Sequence, residues 1–528
     1  MSDIRKLPVG IQDFEDLRAG NYVYVDKTRY LHRLVKMGNP FFMGRPQRFG
    51  KSLLLSTMKA YFEGKKHLFE GLAIAELEKE WTKHPVIYID LNQADYRNKK
   101  DLHDALNSIL GEYEEKWNVK SKEGEYSLRF KNIITSAYDR TGQRVAVLVD
   151  GYDKPMTDTM GDSEAYKDIH IFLCGFYGLL KSMGGYLCFE YLTGVTKFTN
   201  HDIFSGLNHL NDVSTYDRFS GICGITEQEL LDNFKPEIEL LAKRKELTAE
   251  QALAEMKKRY GGYLFAEEGE NVYNPFSVLS AFSECNFGSY WIETETLDVL
   301  ARQVERSGMD IMKLDGDTMI SRDQLRNYRP GVTSLVPLLF QSGYLTIKSS
   351  YRRLEAYILG FPNEEVKYGF LERLLPAYLP KWNTNETFSM TAFAEEVLAG
   401  NAENFMTMLR ACIVSVSCDF PETENGNERY CQKIFYIIFS LAGQFIDMEV
   451  KSSDWFADVV KTEVKTENAI YVFGFKTDDK AAAEDALAQI ESKGHSVPDT
   501  ADHRRRIKIG VEFSVKEGGI KRWLVVSG

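Results

Sequence analysis

The stretch 39–64, NPFFMGRPQRFGKSLLLSTMKAYFEG, constrains this chain more than any other. It opens with Phe41, Phe42 and Met43, as a short buried strand does, and turns through Gly44, Arg45 and Pro46. Gly50, Lys51 and Ser52 follow, and then Leu53, Leu54, Met58, Tyr61 and Phe62 recur at helical spacing. Strand, glycine-bearing loop, Gly-Lys-Ser and helix form the context that a phosphate-binding loop requires. Gly50 lets the backbone approach a phosphate closely. The free amides and positive dipole end of the helix face the anion. Lys51 can reach the terminal phosphates of a nucleotide, and Ser52 can ligate Mg²⁺. Gly44 stands one residue too early for G-x-x-x-x-G-K-[ST], so a surface turn before an ordinary amphipathic helix is the competing reading.

A second signature lies at 144–155, RVAVLVDGYDKP. A buried apolar strand ending in Asp150 places a carboxylate where it can hold Mg²⁺ through water. Many nucleotide hydrolases carry a Glu next, which activates the attacking water; here Gly151 follows. Asp153 is shorter and shifted, and is a poor substitute. A further strand, within 186–198, ends in Thr193, Thr196 and Lys197. Ligands of open α/β sheets sit at strand carboxyl ends, so Thr196 is placed to sense a γ-phosphate. Bonding to local backbone explains such a threonine equally well.

Length and composition set the frame. At 528 residues the chain is expected to hold about three domains. Its 44% hydrophobic and 27% charged residues are those of a folded globular protein. A net charge of −12 argues against a globally basic nucleic-acid coat. The seven cysteines are scattered and contain no C-x-x-C pair, which points to a reducing compartment and no zinc ribbon. The start has no apolar signal region, and the stretch 434–446 is too short to cross a bilayer. A cytoplasmic protein without a membrane partner is expected.

Strand and helix patterns alternate over 1–270, the mark of a doubly wound parallel sheet in an α/β fold. The segment 335–347, LVPLLFQSGYLTI, reads as helix, turn and strand. It marks a mixed middle region, 271–384, either winged-helix-like or a packing module. A third domain is expected over 385–528. His201 and His209 have no zinc spacing and read as solvated loop residues.

The runs LPVGIQDF, VDKT, RPQRFGKSLLLSTMKAYFEG, YDKP, LTGVTKF, IFSGLN, CGIT, VYNPFS, GSYWIET, QSGYLTI and LGFPNEEV carry a resemblance over nearly the whole chain. They resemble the bacterial AAA-ATPase-like proteins that end in a PD-(D/E)XK nuclease-superfamily domain. The resemblance implies a P-loop NTPase domain followed by a restriction-endonuclease-like α/β domain, with ATP and Mg²⁺ as cofactors. It assigns Gly50, Lys51 and Ser52 to the phosphates, Ser52 and Asp150 to Mg²⁺, and Arg45 and Arg48 to the basic flank of the loop. DNA or RNA is the implied partner, and assembly into a homo-oligomer is an analogy with the superfamily.

A nuclease of that superfamily needs two carboxylates on adjacent strands to share a metal, and a Lys two residues after the second. Asp458 and Lys476 fit. The second carboxylate position is Gly474, and His495 stands where a Tyr is expected. One carboxylate holds Mg²⁺ far less well than two. With Gly151 and Gly474 both replacing Glu, slow or absent hydrolysis is expected in the first domain and an impaired nuclease in the last.

Overall fold

Val145 to Val149 are five apolar residues in succession, and a strand of that kind needs cover on both faces. In the computed structural model, β3 (Val145–Asp150) is buried along its whole length. It lies in a five-stranded parallel sheet with β1 (Phe41–Gly44), β2 (Val86–Asp90), β4 (Leu187–Gly194) and β5 (Asn211–Asp212). The order is β2-β3-β4-β1-β5, so β4 is inserted between the loop strand and the Asp150 strand. Asp90 is level with Asp150, Asp150 with Thr193, and Gly44 with Gly194. The carboxyl ends of four strands therefore meet at one edge, where open α/β sheets take their ligands. The structure describes residues 5–38, 40–119, 125–198, 209–291, 296–326, 328–379, 388–413, 426–445, 448–454, 460–478, 481–492, 503–514 and 519–527.

Helix α1 (Lys51–Phe62) packs on β2 and β3, and α2 (Lys99–Lys116), α3 (Tyr126–Thr141) and α4 (Ser163–Gly178) pack on one another. These bounds agree with the apolar periodicity of the sequence to within a few residues. A small pair, β6 (Ile225–Thr226) and β7 (Val272–Tyr273), follows the sheet together with α5 (Glu227–Arg244), α6 (Ala249–Tyr260) and α7 (Pro275–Glu284). Capping boxes at Thr226/Glu229 and Thr248/Gln251 start α5 and α6. Leu230, Phe234, Met256, Tyr260, Val278 and Phe282 pack these helices into one core.

The expected middle domain, 271–384, is not set apart. The chain divides into two units, Met1–Trp291 with Gly316–Glu365, and Ile292–Asp315 with Val366–Gly528. Residues 316–365 belong with the first unit because they carry their own bonds to it. Leu264 N donates to Thr346 Oγ1 at 2.7 Å, Lys197 N donates to Gln341 at 2.8 Å, and Arg326 donates to Thr215 at 2.7 Å. The helix, turn and strand read from 335–347 are present as α8 (Val336–Gln341) and β9 (Thr346–Tyr351). The latter joins β8 (Thr318–Ser321) and β10 (Ala356–Gly360) in an antiparallel sheet of order β8-β10-β9.

The second unit is built on β11 (Met448–Asp454), β12 (Val460–Thr466), β13 (Ala469–Thr477), β14 (Arg505–Ser514) and β15 (Gly519–Ser527), paired in that order. Only β13 and β14 run parallel, and α10 (Ala483–Ser492) joins them and packs on both. Asp454 ends β11 and pairs with Val460 at the start of β12; the rest of the strand-like run 454–460 lies outside the described residues. Side chains alternate across β13. Phe473 and Phe475 meet Phe435 of α9 (Gly426–Ala442) at ring-centroid distances of 5.5 and 5.0 Å, and Phe513 meets it at 5.9 Å. Phe435→Ala should lower the stability of this unit by about 3–5 kcal/mol, read from urea unfolding, because it opens a cavity among rings that cannot close over it.

Candidate nucleotide site and the glycine-seated nuclease fold

Helix α1 begins at Gly50, whose φ of 90° is a left-handed conformation, and no side chain caps its amino end. Its first amides are left for a ligand. The Lys51 ammonium folds back and donates to the carbonyls of Arg45 (3.0 Å) and Pro46 (2.8 Å). An ammonium has three donors, so one remains for a phosphate oxygen. Burial pulls the Lys51 pKa below its ordinary value, against the opposing pull of the Asp150 carboxylate. An added anion would relieve that cost.

Asp150 ends β3 and is 1% exposed. Burial pushes its carboxyl above the usual range, the Asp90 charge adds to this, and Ser52, Lys51 and Asn92 draw it back. Tyr88 donates its hydroxyl to Asp150 Oδ2 at 3.3 Å, while Oδ1 is buried without a direct hydrogen bond. Mg²⁺ is commonly held by one or two protein oxygens plus phosphates and waters. Ser52 and Asp150 form such a pair, and the orphaned carboxylate oxygen fits the group.

Gly151 shows what has happened to the absent Glu. Its φ is 66°, and a Cβ there would lie 2.3 Å from Asn92 Oδ1. Asn92 is held by Asp90, which accepts from its backbone amide (2.9 Å) and its side-chain amide (3.0 Å). An amide from the β2 end thus fills the space a side chain at 151 would need. Asp153 does not substitute. It is 2% exposed, and its carboxylate accepts from the amides of Val195 (3.0 Å) and Thr196 (2.6 Å). Burial raises its pKa to about 6. Gly194 makes room for it, since a Cβ there would lie 2.1 Å from Asp153 Oδ1.

Two arginines expected on the basic flank are used elsewhere. Arg45 is 1% exposed and donates to the carbonyls of Gly44, Ser214 and Phe219, with its guanidinium 4.4 Å from the Phe265 ring centroid. Arg48 is exposed but donates to the Tyr290 carbonyl at 2.9 Å. Thr196 is buried; its carbonyl accepts from Tyr152 Oη at 2.6 Å, while its own hydroxyl has no partner. His209 is no solvated loop residue, because its Nε2 lies 3.1 Å from the buried Glu190 carboxylate. His201 lies outside the described residues. Beside Gly50 opens a mostly apolar cleft lined by Pro8, Val23, Tyr24, Ile222, Gly224, Pro275 and Leu279 among others. Asp90, Asn92 and this cleft were missed in the sequence. The clue to the first was that two apolar strands both end in Asp, which a parallel sheet brings level.

In the second unit the nuclease constellation is not assembled among the described residues. Asp458 and His495 lie outside them. Gly474 faces α10; a Cβ there would lie 2.8 Å from the Ala486 carbonyl oxygen and 3.2 Å from Ile490. Its register partner Gly510 is tighter still, with Ala483 O at 2.4 Å. The helix rests directly on two glycines, so the position of the expected Glu has become its seat. Lys476, half-buried, is level with Glu512 on β14. Glu512 is committed to other partners: it accepts from Arg522 (2.7 Å), Lys521 (2.9 Å) and the Ala483 amide (3.2 Å). Among the described residues no three His, Cys, Asp or Glu side chains cluster as metal ligands.

Burial would raise the Glu512 carboxyl, but Arg522, Lys521 and the Ala483 amide outweigh it and hold the pKa at about 2, below its ordinary 4.5. A depressed carboxyl stabilises the fold above its unfolded value and loses that contribution as pH falls through the folded one. The second unit should therefore lose stability between pH 4.5 and about 2. Glu512→Gln should flatten that window in acid titrations followed by near-ultraviolet dichroism. Gly474→Ala should lower the melting temperature and leave no room for a longer side chain without lifting α10.

Among the described residues no helix is long and apolar enough to cross a membrane. Residues 8–204 match the family described as predicted AAA-ATPase, AAA-ATPase-like. Residues 426–523 match the PD-(D/E)XK nuclease superfamily. The chain is also 32% identical over 535 residues to a protein of Azotobacter chroococcum mcd 1 named "Uncharacterized protein in vnfD 5′region", with 99% of each chain covered. With a loop strand, an inserted strand and an Asp-ended strand in one parallel sheet of the first unit, and a mixed sheet crossed by α10 in the second, the chain belongs to the AAA-ATPase-like family that carries a PD-(D/E)XK nuclease-superfamily domain.

Proposed function

We propose that this protein binds ATP with Mg²⁺ at the amino end of α1, hydrolyses it slowly, and uses its nuclease-like unit to bind nucleic acid rather than to cut it. The observation that carries the first part is the Lys51 ammonium beside Asp150, with one donor left and uncapped helix amides next to it. In this reading Gly50 and Lys51 hold the phosphates, while Ser52 and Asp150 hold the metal. The apolar cleft beside Gly50 takes the base, as suits a site with few polar groups. Bound Mg²⁺ supplies charge neutralisation between the terminal phosphates.

Slow turnover follows from the filled space at Gly151. A positioned base contributes about 10²–10⁴-fold to such a reaction, and here an amide stands in its place. An amide can orient water but cannot take its proton at neutral pH. The binding role of the second unit is supported by the fold without its carboxylate pair; DNA or RNA is the ligand class that the superfamily suits.

Calorimetry on the full chain should register MgATP uptake, and Lys51→Ala should weaken it at least about tenfold, the loss of one charge-assisted contact. Absence of uptake by the parent chain would end this reading. Gly151→Glu alone should give no faster hydrolysis, because the Asn92 side chain, held by Asp90, occupies the space it needs. Paired with Asn92→Gly, it should gain roughly tenfold or more, within the range of a general base. Purified chain with Mg²⁺ should leave DNA and RNA intact while shifting their mobility. Cleavage that disappears in Asp458→Ala would overturn the binding-only role.

A further inference from the structure

The first unit gives up the chain twice, after Trp291 and after Glu365. Both exits are tied together inside that unit. Glu365 is 6% exposed, and its Oε1 accepts from the backbone amides of Tyr290 (2.5 Å) and Trp291 (3.0 Å). Its Oε2 accepts from Ser277 Oγ at 2.8 Å. Burial raises this carboxyl, and the two amides, Ser277 and the Arg48 charge offset it.

The same residues reach the phosphate loop. The Trp291 indole, 4% exposed as a residue, donates to the backbone carbonyl of Gln47 at 3.0 Å. Arg48 adopts φ 62° and donates to the Tyr290 carbonyl at 2.9 Å. Two successive loop residues are therefore bonded to the two successive residues that end the segment. Phosphate binding needs the amides and the lysine of such a loop, not its outward carbonyls. The Gln47 carbonyl and the Arg48 amide are two ends of one rigid peptide plane. Any rotation that aims that amide at a phosphate swings the oxygen that Trp291 holds.

We propose that Trp291 and Glu365 are positioning residues of the phosphate loop, which make nucleotide occupancy felt at both chain exits from the first unit. This rests on the nucleotide-binding reading above. Glu365 is the rigid tie between the exits, and Trp291 is the sensor.

Hydrogen exchange and tryptophan emission of the full chain, with and without MgATP, test it, with calorimetry on the same samples to report binding. Exchange at the amides of Tyr290 and Trp291 should change by about fivefold on binding, the scale of one hydrogen bond. Trp291→Phe keeps the packing on Tyr344, whose ring lies 5.2 Å away between centroids, but cannot donate. It should still bind MgATP, with affinity shifted by about fivefold, the worth of the one hydrogen bond removed from the loop, and lose the exchange response. Glu365→Gln, which keeps one acceptor, should retain part of it. Measured binding with unchanged exchange and emission would overturn the proposal, as would a Trp291→Phe protein that responds like the parent. If calorimetry shows no uptake by the parent, the nucleotide reading itself has failed, and the proposal falls with it.

Discussion

An ammonium turned inward against two carbonyls, with a carboxylate close by, is the constraint on which the first unit depends. Lys51 cannot reach Arg45 O and Pro46 O unless the loop curls over it, and the loop cannot curl unless Gly50 takes its left-handed turn. That curl leaves the amides of α1 unpaired. The cost of unpaired amides and a desolvated cation is accepted in one place and offset only by an anion. The parallel sheet then supplies Asp150 at a fixed level, because β4 separates it from the loop strand by one strand width.

Gly151 and Gly474 stand where the family resemblance leads one to expect acidic residues, and their surroundings differ. At 151 a neighbouring side chain, Asn92, moves into the space and is fixed by Asp90. At 474 a whole helix descends, and the matching Gly510 across the strand pair shows that the seat has two halves. The first replacement alters chemistry while leaving the binding groups in place. The second alters packing, and reverting one residue would not undo it. Glu512 makes the same point from the other side: a carboxylate one strand over is already neutralised by Arg522 and Lys521.

Much of this fold was legible because apolar runs have few choices. Val145 to Val149 could only be a buried strand, and the Gly-Lys-Ser step could only open a helix. A basic residue beside a phosphate loop invites a ligand, but Arg45 is claimed by the Gly44 carbonyl beside it and by two sequence-distant carbonyls, Ser214 and Phe219. Residues 316–365 were assigned to a separate domain because sequence reports neighbours along the chain, not the bonds from Thr346 to Leu264 or Gln341 to Lys197. Strands β11, β12 and β15 were partly or wholly missed. β11 and β12 each carry two apolar residues in seven, against six in nine for β13, so their apolar signal is less than half as dense. Asn92 was invisible for a simpler reason: its role is set by what is absent at 151.

A site that keeps its binding groups without a base, as proposed here, carries a definite thermodynamic consequence. A site that binds and turns over quickly spends its binding free energy in a cycle, whereas one that binds and waits holds the bound state. Ligand at about a hundred times its dissociation constant stabilises the bound conformation by roughly 2.7 kcal/mol. A fast hydrolase loses that bias each time the γ-phosphate leaves. In the slow site proposed here the bias persists, and its nearest mechanical outlets are the Gln47 carbonyl and the Arg48 guanidinium, both bonded to residues 290 and 291. Differential binding between two loop geometries is the only way a ligand can shift an equilibrium. The loop of this chain has its second geometry restrained by an indole and a carboxylate at the exits to the other unit. In the proposed reading the arrangement is that of a nucleotide-held state, in which affinity and lifetime count for more than rate.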